Sequence, residues 1–364
     1  MHPCRLPAVP RVGSRSVPSP EALPANEANG HDLDVVAIGS PLLDVIELAT
    51  AEQLASVGLE KGSKTLIDLP MANAVQASMG APRFVSGGSV ANTTAGIAVL
   101  GGSAGFVGAV ADDEVGRTYT EKLRAAGVEF EPHLSESAAA DGLGTGRCVV
   151  LITEDADRTM GTYLGAASTL SPEGVPASFV ARASIVLLEG YLWDVPAAKE
   201  AMRHAAATAH AAEGSVALSL SDPFCVGRHQ REFLDLLLDD VDVLLGNEEE
   251  ITMLFGVNSY QDALQAAEET GLLVVMTRGA QGATVLTARG PEEVPAAPVH
   301  QVVDTTGAGD LFAAGLLYGL THGMGPVEST SLGALCAAEV ISHTGARPEA
   351  DLKALAADAG LLAG

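Results

Sequence analysis

Asp310 ends the string Val302-Val303-Asp304-Thr305-Thr306-Gly307-Ala308-Gly309-Asp310, and apolar residues at helical spacing follow it over 311–320. The pattern predicts the end of a strand, a glycine-broken turn and a helix. Gly307 and Gly309 let the main chain approach a ligand and adopt conformations that other residues resist. The first N–H groups of the helix lack intrahelical partners and carry the positive end of its dipole, so the turn is an anion site. A carboxylate at the mouth of an anion site is poorly placed unless it has a task. The task that fits is taking the proton of a hydroxyl that attacks the anion. For an isolated Gly-x-Gly-Asp string, helix capping is the commoner explanation.

Five other stretches carry residue types with related chemistry. Ser40-Pro41-Leu42-Leu43-Asp44 follows the apolar run 34–39 and reads as a loop off the carboxyl end of a buried parallel strand. Open α/β sheets hold ligands there, although Asp44 alone would pass for a turn residue. Gly87-Gly88-Ser89 and Asn92 precede an apolar helix that runs to Leu100. They bring main-chain N–H groups and small polar side chains to a surface, or simply form a glycine turn with a cap. Arg158 begins the second arm of a β-hairpin, with strands at 148–153 and 158–164 around the polar turn 154–157. It is either a solvated edge charge or a phosphate-neutralising arm. Asn247-Glu248-Glu249-Glu250 opens a helix beyond the strand 241–245, where carboxylates suit the dipole without further purpose. Thr277-Arg278-Gly279-Ala280-Gln281-Gly282 is a glycine turn between two strands, and most such turns are structural.

Composition narrows the classes. With 364 residues, of which 47% are hydrophobic, the chain can bury a full core. A balance of 20 basic against 46 acidic residues gives −26, which repels nucleic acid and anionic membranes and excludes both as expected partners. A phosphate site on such a surface must rely on local Arg, main-chain N–H groups and a divalent metal. The acidic excess also suits a salt-rich habitat, where self-repulsion is screened. Cys4, Cys148, Cys225 and Cys336 form no Cys-x-x-Cys pair, so a reducing cytoplasm is expected rather than a disulfide framework. The His residues lack metal spacing, no Walker string exists, and no apolar run is long and pure enough for a bilayer.

Alternating strand and helix signals from residue 184 onward predict a doubly wound, mostly parallel α/β sheet flanked by helices. The hairpin at about 143–165 belongs to a discontinuous β-sheet lid on it. Residues 1–31, with several prolines and no acid before Glu21, read as a disordered tail, with a transit peptide as the alternative. A main domain at 32–350 and a C-terminal helix or tail at 351–364 complete the plan.

Asp304 to Asp310, with Gly87-Gly88-Ser89, Asn92, Arg158 and Asn247-x-x-Glu250 in this order, closely resembles the signature of the ribokinase-like (PfkB) family of sugar and nucleoside kinases. The resemblance spans about residues 34–348 and is greatest to the family's adenosine kinases. It implies ATP-dependent phosphorylation of the adenosine 5′-hydroxyl, with Asp310 as base and Gly307, Ala308 and Gly309 as anion hole. Asp44 would hold the ribose hydroxyls, Gly87, Gly88, Ser89 and Asn92 would line the sugar pocket, and Arg158 would face the transferring phosphate. Asn247, Thr277, Gly279, Gly282, Thr306 and Gly309 would contact ATP, and Glu250 would organise Mg²⁺ through water. Asp304 and Thr306 fall where relatives bind a monovalent cation such as K⁺, with carbonyls from 342–348. The alternatives are an inosine, guanosine, ribose or fructose kinase of the same fold, and a sensor that has lost catalysis. A hydride-transferring Rossmann enzyme is disfavoured, since Gly-x-Gly-x-x-Gly is missing after the first strand. The loop 134–146 lacks aromatics, leaving the base pocket unread, and the assembly is expected to be a monomer or homodimer.

Overall fold

The computed structural model describes residues 30–153, 158–287 and 289–362. In chain order the strands are β1 (Leu33–Ile38), β2 (Leu42–Leu48), β3 (Lys64–Leu66), β4 (Arg83–Gly87), β5 (Ala104–Val110), β6 (Val128–Leu134) and β7 (Arg147–Ile152). They continue as β8 (Arg158–Tyr163), β9 (Ala183–Glu189), β10 (Ser215–Ser219), β11 (Val243–Asn247), β12 (Leu273–Thr277), β13 (Ala283–Thr287) and β14 (Gly290–Val294). Nine strands form one sheet in the order β14-β13-β12-β11-β10-β9-β1-β5-β6, parallel except for the antiparallel edge β12-β13-β14.

Burial on both faces explains the near-continuous apolar strands. One layer, with helices Pro196–Ala211, Gln230–Asp240, Glu248–Phe255 and Tyr260–Thr270, packs around Trp193, Phe233 and Leu188. The opposite layer, with Ser89–Leu100, Glu114–Ala125, Ala308–Thr321 and Pro326–Val340, encloses Phe106, Tyr119 and Leu316. The chain leaves β1 toward β5 and β6 on one side and returns through β9 on the other. The β1–β9 boundary is therefore the switch point, where a crevice opens beyond the carboxyl ends of the strands.

The second sheet has the order β3-β8-β7-β2-β4. Val45, Val149 and Leu151 on one face pack with Leu54 and Val75, while Cys148, Val150 and Ile152 cluster with Ile46 and Met160 on the other. The expected hairpin arms are β7 and β8, paired antiparallel; the turn between them lies outside the described residues, as do residues 1–29 of the expected tail and Cys4. His31, assigned to that tail, is engaged: its Nε2 lies 2.9 Å from Ala212 O.

Three expectations about local structure need correction. Asp44 lies within β2, not in a loop, facing Val85 of β4 and Cys148 of β7. Leu43 and Val45 are buried on one face and Asp44 and Ile46 lie on the other; Pro41 and the acid obscure this alternation. Val302 and Val303 are not in a strand; both are exposed, and the segment hangs on Ile341 O through the N–H groups of Val303 and Asp304. β-Branched residues signal strand only where a sheet edge is free to receive them. The loop 134–146 contains the helix Glu136–Ala140, whose first turn is capped by Ser135. Among the described residues, no helix is long and apolar enough to cross a membrane.

Candidate active site

Two helix N-termini meet at the crevice. The helix Ala308–Thr321 begins at Gly307, whose φ of 81° is left-handed, and no side chain caps it. Ser89–Leu100 begins the same way at Gly88, with φ 100° and no side-chain cap. A Cβ on Gly96 would come 2.7 Å from both Ala314 Cβ and Leu311 Cδ1, so glycine lets the two helices close together. That approach brings Asp310 to the first turn of its neighbour. Ser89 Oγ donates to Asp310 Oδ1 at 2.6 Å, and Asn92 Nδ2 donates to Oδ2 at 2.9 Å. Asp310 is thus not a cap. It stands in the first helical turn, partly exposed, and each of its oxygens keeps accepting capacity beyond these bonds. Ser89 and Asn92, expected in the sugar pocket, hold this carboxylate; the buried Asn92 Oδ1 has no partner among the described residues.

Asp44 stands beneath the Gly87 turn, where a Cβ on Gly87 would meet Asp44 Oδ2 at 2.3 Å. Burial pushes the Asp44 carboxyl up to about 7, against the pull of Arg347 and with the charge of Asp310 adding to the rise. Burial likewise raises Asp310, opposed by its bonds to Ser89 and Asn92 and by Arg347. Glu189, at the carboxyl end of β9, accepts from Ser40 N at 2.8 Å across the switch point, and burial raises it to about 7.

Arg158 reaches from β8 to the loop before Asp310. Its Nη2 lies 2.5 Å from Asp304 Oδ2, and Nη1 donates to Thr306 Oγ1 at 3.3 Å. Asp304 also accepts from Thr306 N at 3.1 Å and Gly345 N at 2.7 Å. The pair Asp304 and Thr306 therefore organises the loop and links it to the second sheet.

On the far side, Asn247 and Glu250 form a reciprocal cap: Glu250 N donates to Asn247 Oδ1 at 2.8 Å, and Asn247 N to Glu250 Oε2 at 2.9 Å. Burial, with Asp222 and Glu249 nearby, pushes Glu250 up to about 7. Glu248 lies 3.0 Å from Arg278 Nε, whose guanidinium stacks over Tyr260. Thr277 pairs in register with Asn247 at the strand ends. Gly279 and Gly282 both take left-handed backbone angles, φ 56° and 87°, and a Cβ on Gly282 would in addition run into Val294 O, whereas one on Gly279 meets nothing within 4 Å. Three strand spacings separate β1 from β11, roughly 15 Å, so the two clusters stand apart on the same sheet, each at the carboxyl end of a parallel strand or just beyond it.

Glu189 and Arg347 escaped notice as individual site residues. The first had a signal, a carboxylate ending an otherwise apolar strand. The second had none, because its hydrogen-bond partners Ser86 and Ala91 lie more than 250 residues away in the chain.

The raised carboxyls set the pH dependence of stability. Asp44, Glu189 and Glu250 sit at about 7 in the fold, against about 4 in an unfolded chain. The fold then holds protons that the unfolded chain has released, so these groups lower stability as pH rises from about 4 to 7, with no further change above. Urea unfolding at pH 5 and pH 8 is expected to show the higher stability at pH 5, and Asp44→Asn to flatten the slope.

Parallel sheet, switch point, uncapped helix start and the part-buried Asp310 together describe a phosphotransferase of known lineage. The chain belongs to the pfkB family of carbohydrate kinases, whose profile matches residues 26–352. It is 30% identical to the adenosine kinase of Saccharomyces cerevisiae over 336 residues, covering 85% of this chain and 95% of that protein. The adenosine kinase of Sinorhizobium meliloti superposes with a TM-score of 0.80 at 40% identity, covering 90% of this chain and 99% of that one. A probable sugar kinase from Rhizobium etli CFN 42 gives 0.82 at 38%, covering 91% and 100%. Membership in the family makes the chain a sugar or nucleoside kinase and implies ATP use, as the resemblance predicted.

Proposed function

We propose that this kinase transfers the γ-phosphoryl group of ATP to the 5′-hydroxyl of adenosine, yielding AMP and ADP. The observation that carries this reading is the Asp310 carboxylate, aimed by Ser89 and Asn92 and standing beside an uncapped helix start. Asp310 takes the hydroxyl proton as the new O–P bond forms and the terminal anhydride bond breaks. The N–H groups at Gly309 and its neighbours face the charge on the moving phosphoryl, where fixed donors and the helix dipole cost no reorganisation. Asp44, on β2 beneath the Gly87 turn, accepts from the sugar hydroxyls. Arg158 supplies a cation from the lid side, exchanging Asp304 for phosphate oxygen. Asn247 and Thr277 mark the nucleotide end of the crevice.

The kinase family implies Mg²⁺, an ion that keeps several waters and binds mainly through substrate phosphates. Glu250 would orient one of those waters, and the ion would neutralise phosphate charge.

Adenosine is favoured over a free sugar by the identity shared with two adenosine kinases across most of the chain. A free-sugar acceptor is the second reading, favoured by the Rhizobium etli relative and by a 134–146 segment without aromatic side chains. ATP consumption with adenosine, inosine, guanosine, ribose and fructose decides between them. Turnover with adenosine at the highest kcat/KM is expected. Preference for ribose or fructose would move the assignment to sugar, and no acceptor-dependent consumption would sink it.

Gly309 offers a test of the anion hole that leaves the fold alone. A Cβ there meets nothing within 4 Å, so it projects into open crevice. Gly309→Ala is expected to hold or raise the melting temperature, since Ala is favoured over Gly in a helix by up to about 1 kcal/mol. Turnover is expected to fall on the order of 10²-fold as the methyl group displaces the phosphoryl from its donors.

A further inference from the structure

We propose that Arg347 is a positioning residue of the transfer site, tying the wall that carries Ser89 and Asn92 to the loop that leads into Asp310. The inference rests on the kinase reading above. Arg347 Nη1 donates to Ala91 O at 3.0 Å, inside the first turn of the helix Ser89–Leu100. Nη2 donates to Ser86 O and, at 3.2 Å, to Ser86 Oγ, at the end of β4 just before the Gly87-Gly88 turn. The planar fork thus grips the chain on both sides of Ser89, one of the two residues that aim Asp310.

The residues just before Arg347 grip the opposite loop. Gly345 N donates to Asp304. Ala346 lies against Gly307, where a Cβ would come 2.7 Å from Ala346 Cα. Three consecutive residues therefore hold the anion loop with two of their members and the acceptor wall with the third. A guanidinium suits this span because its donors form a rigid fork, which an ammonium lacks.

Arg347 also brings positive charge to a crowded group of acids. Asp310 lies within electrostatic reach of Asp44 on β2, of Glu189 at the end of β9 and of Tyr191 beyond it, and Arg347 within reach of Tyr119 on the helix Glu114–Ala125. Arg347 opposes the rise of both Asp44 and Asp310.

The test compares Arg347→Met and Arg347→Lys with the natural chain by steady-state kinetics and by carbon-13 titration of labelled Asp carboxyls. The Asp310 signal is identified by its loss in Asp310→Asn. Arg347→Met is expected to raise the Asp310 midpoint and lower kcat about 10²-fold per folded molecule, the cost of roughly 1 Å of misplacement. Arg347→Lys is expected to keep the midpoint near that of the natural chain and recover only part of kcat. Should Arg347→Met fail to fold, Arg347→Lys is read alone: a midpoint and kcat both matching the natural chain would overturn the proposal. An unmoved midpoint in Arg347→Met, with kcat normal once corrected for folded fraction, would also overturn it. If the natural chain consumes no ATP with any acceptor, the kinase reading fails by itself. An Asp310 midpoint raised in Arg347→Met then still supports the Arg347–Asp310 link, and an unmoved one rejects it.

Discussion

Asp310→Asn is expected to lower turnover by roughly 10²–10⁴-fold while leaving the fold and ATP affinity in place, the range that a positioned general base contributes. The substitution keeps the shape of the side chain. Its amide oxygen can accept from Asn92, and its NH₂ can donate to Ser89 Oγ, a hydroxyl that turns to suit. What is lost is the ability to take a proton. Burial disfavours the ionised carboxylate, so the variant is expected to melt no lower than the natural chain at pH 8. In the natural chain the base works only when ionised. Its kcat/KM is therefore expected to fall as pH is lowered, with a midpoint above the ordinary Asp range, and this limb to vanish in Asp310→Asn. Near-normal turnover of the variant at saturating ATP and acceptor would remove Asp310 from the chemistry.

Gly307→Val is expected to damage stability and turnover together, in contrast to Gly309→Ala two residues on. Gly307 has φ 81°, where a side chain costs about 1–2 kcal/mol. Its Cβ would also sit 2.7 Å from Ala346 Cα and Cβ, contacts that only a shift of the 345–347 segment can relieve. Overpacking of that kind adds about 1–3 kcal/mol. A loss of roughly 2–5 kcal/mol in denaturant unfolding is expected from the two. The shift would carry Asp304 and Arg347 with it, so turnover per folded molecule is expected to fall by about 10²-fold. A variant that unfolds normally and turns over normally would show that the close seat of Gly307 on Ala346 is unnecessary.

The fold was legible to the extent that it is written in local periodicity. Val35-Val36-Ala37-Ile38 can only be a strand covered on both faces, and each of these residues is fully buried. The helix after Gly309 and its glycine break were equally plain. The second sheet was half legible: the arms β7 and β8 are adjacent in the chain, whereas β2, β3 and β4 reach the same sheet from separate places. Asn247 and Glu250 show how one spacing carries two meanings, because the same residues that suggested a metal site close a helix cap on each other.

By itself the sequence determined the family, the parallel sheet and the carboxylate at a glycine-broken helix start, because each follows from the order of neighbouring residues. Only tertiary structure decided what that carboxylate touches. Ser89 and Asn92 reach Asp310 from more than 200 positions away, and Arg158 is paired with Asp304 across the gap between sheet and lid. Arg347 meets Ser86 and Ala91 from the other end of the chain. Hydrogen bonds and charges act over a few ångströms of space, and chain order sets those distances only between residues in the same turn or strand.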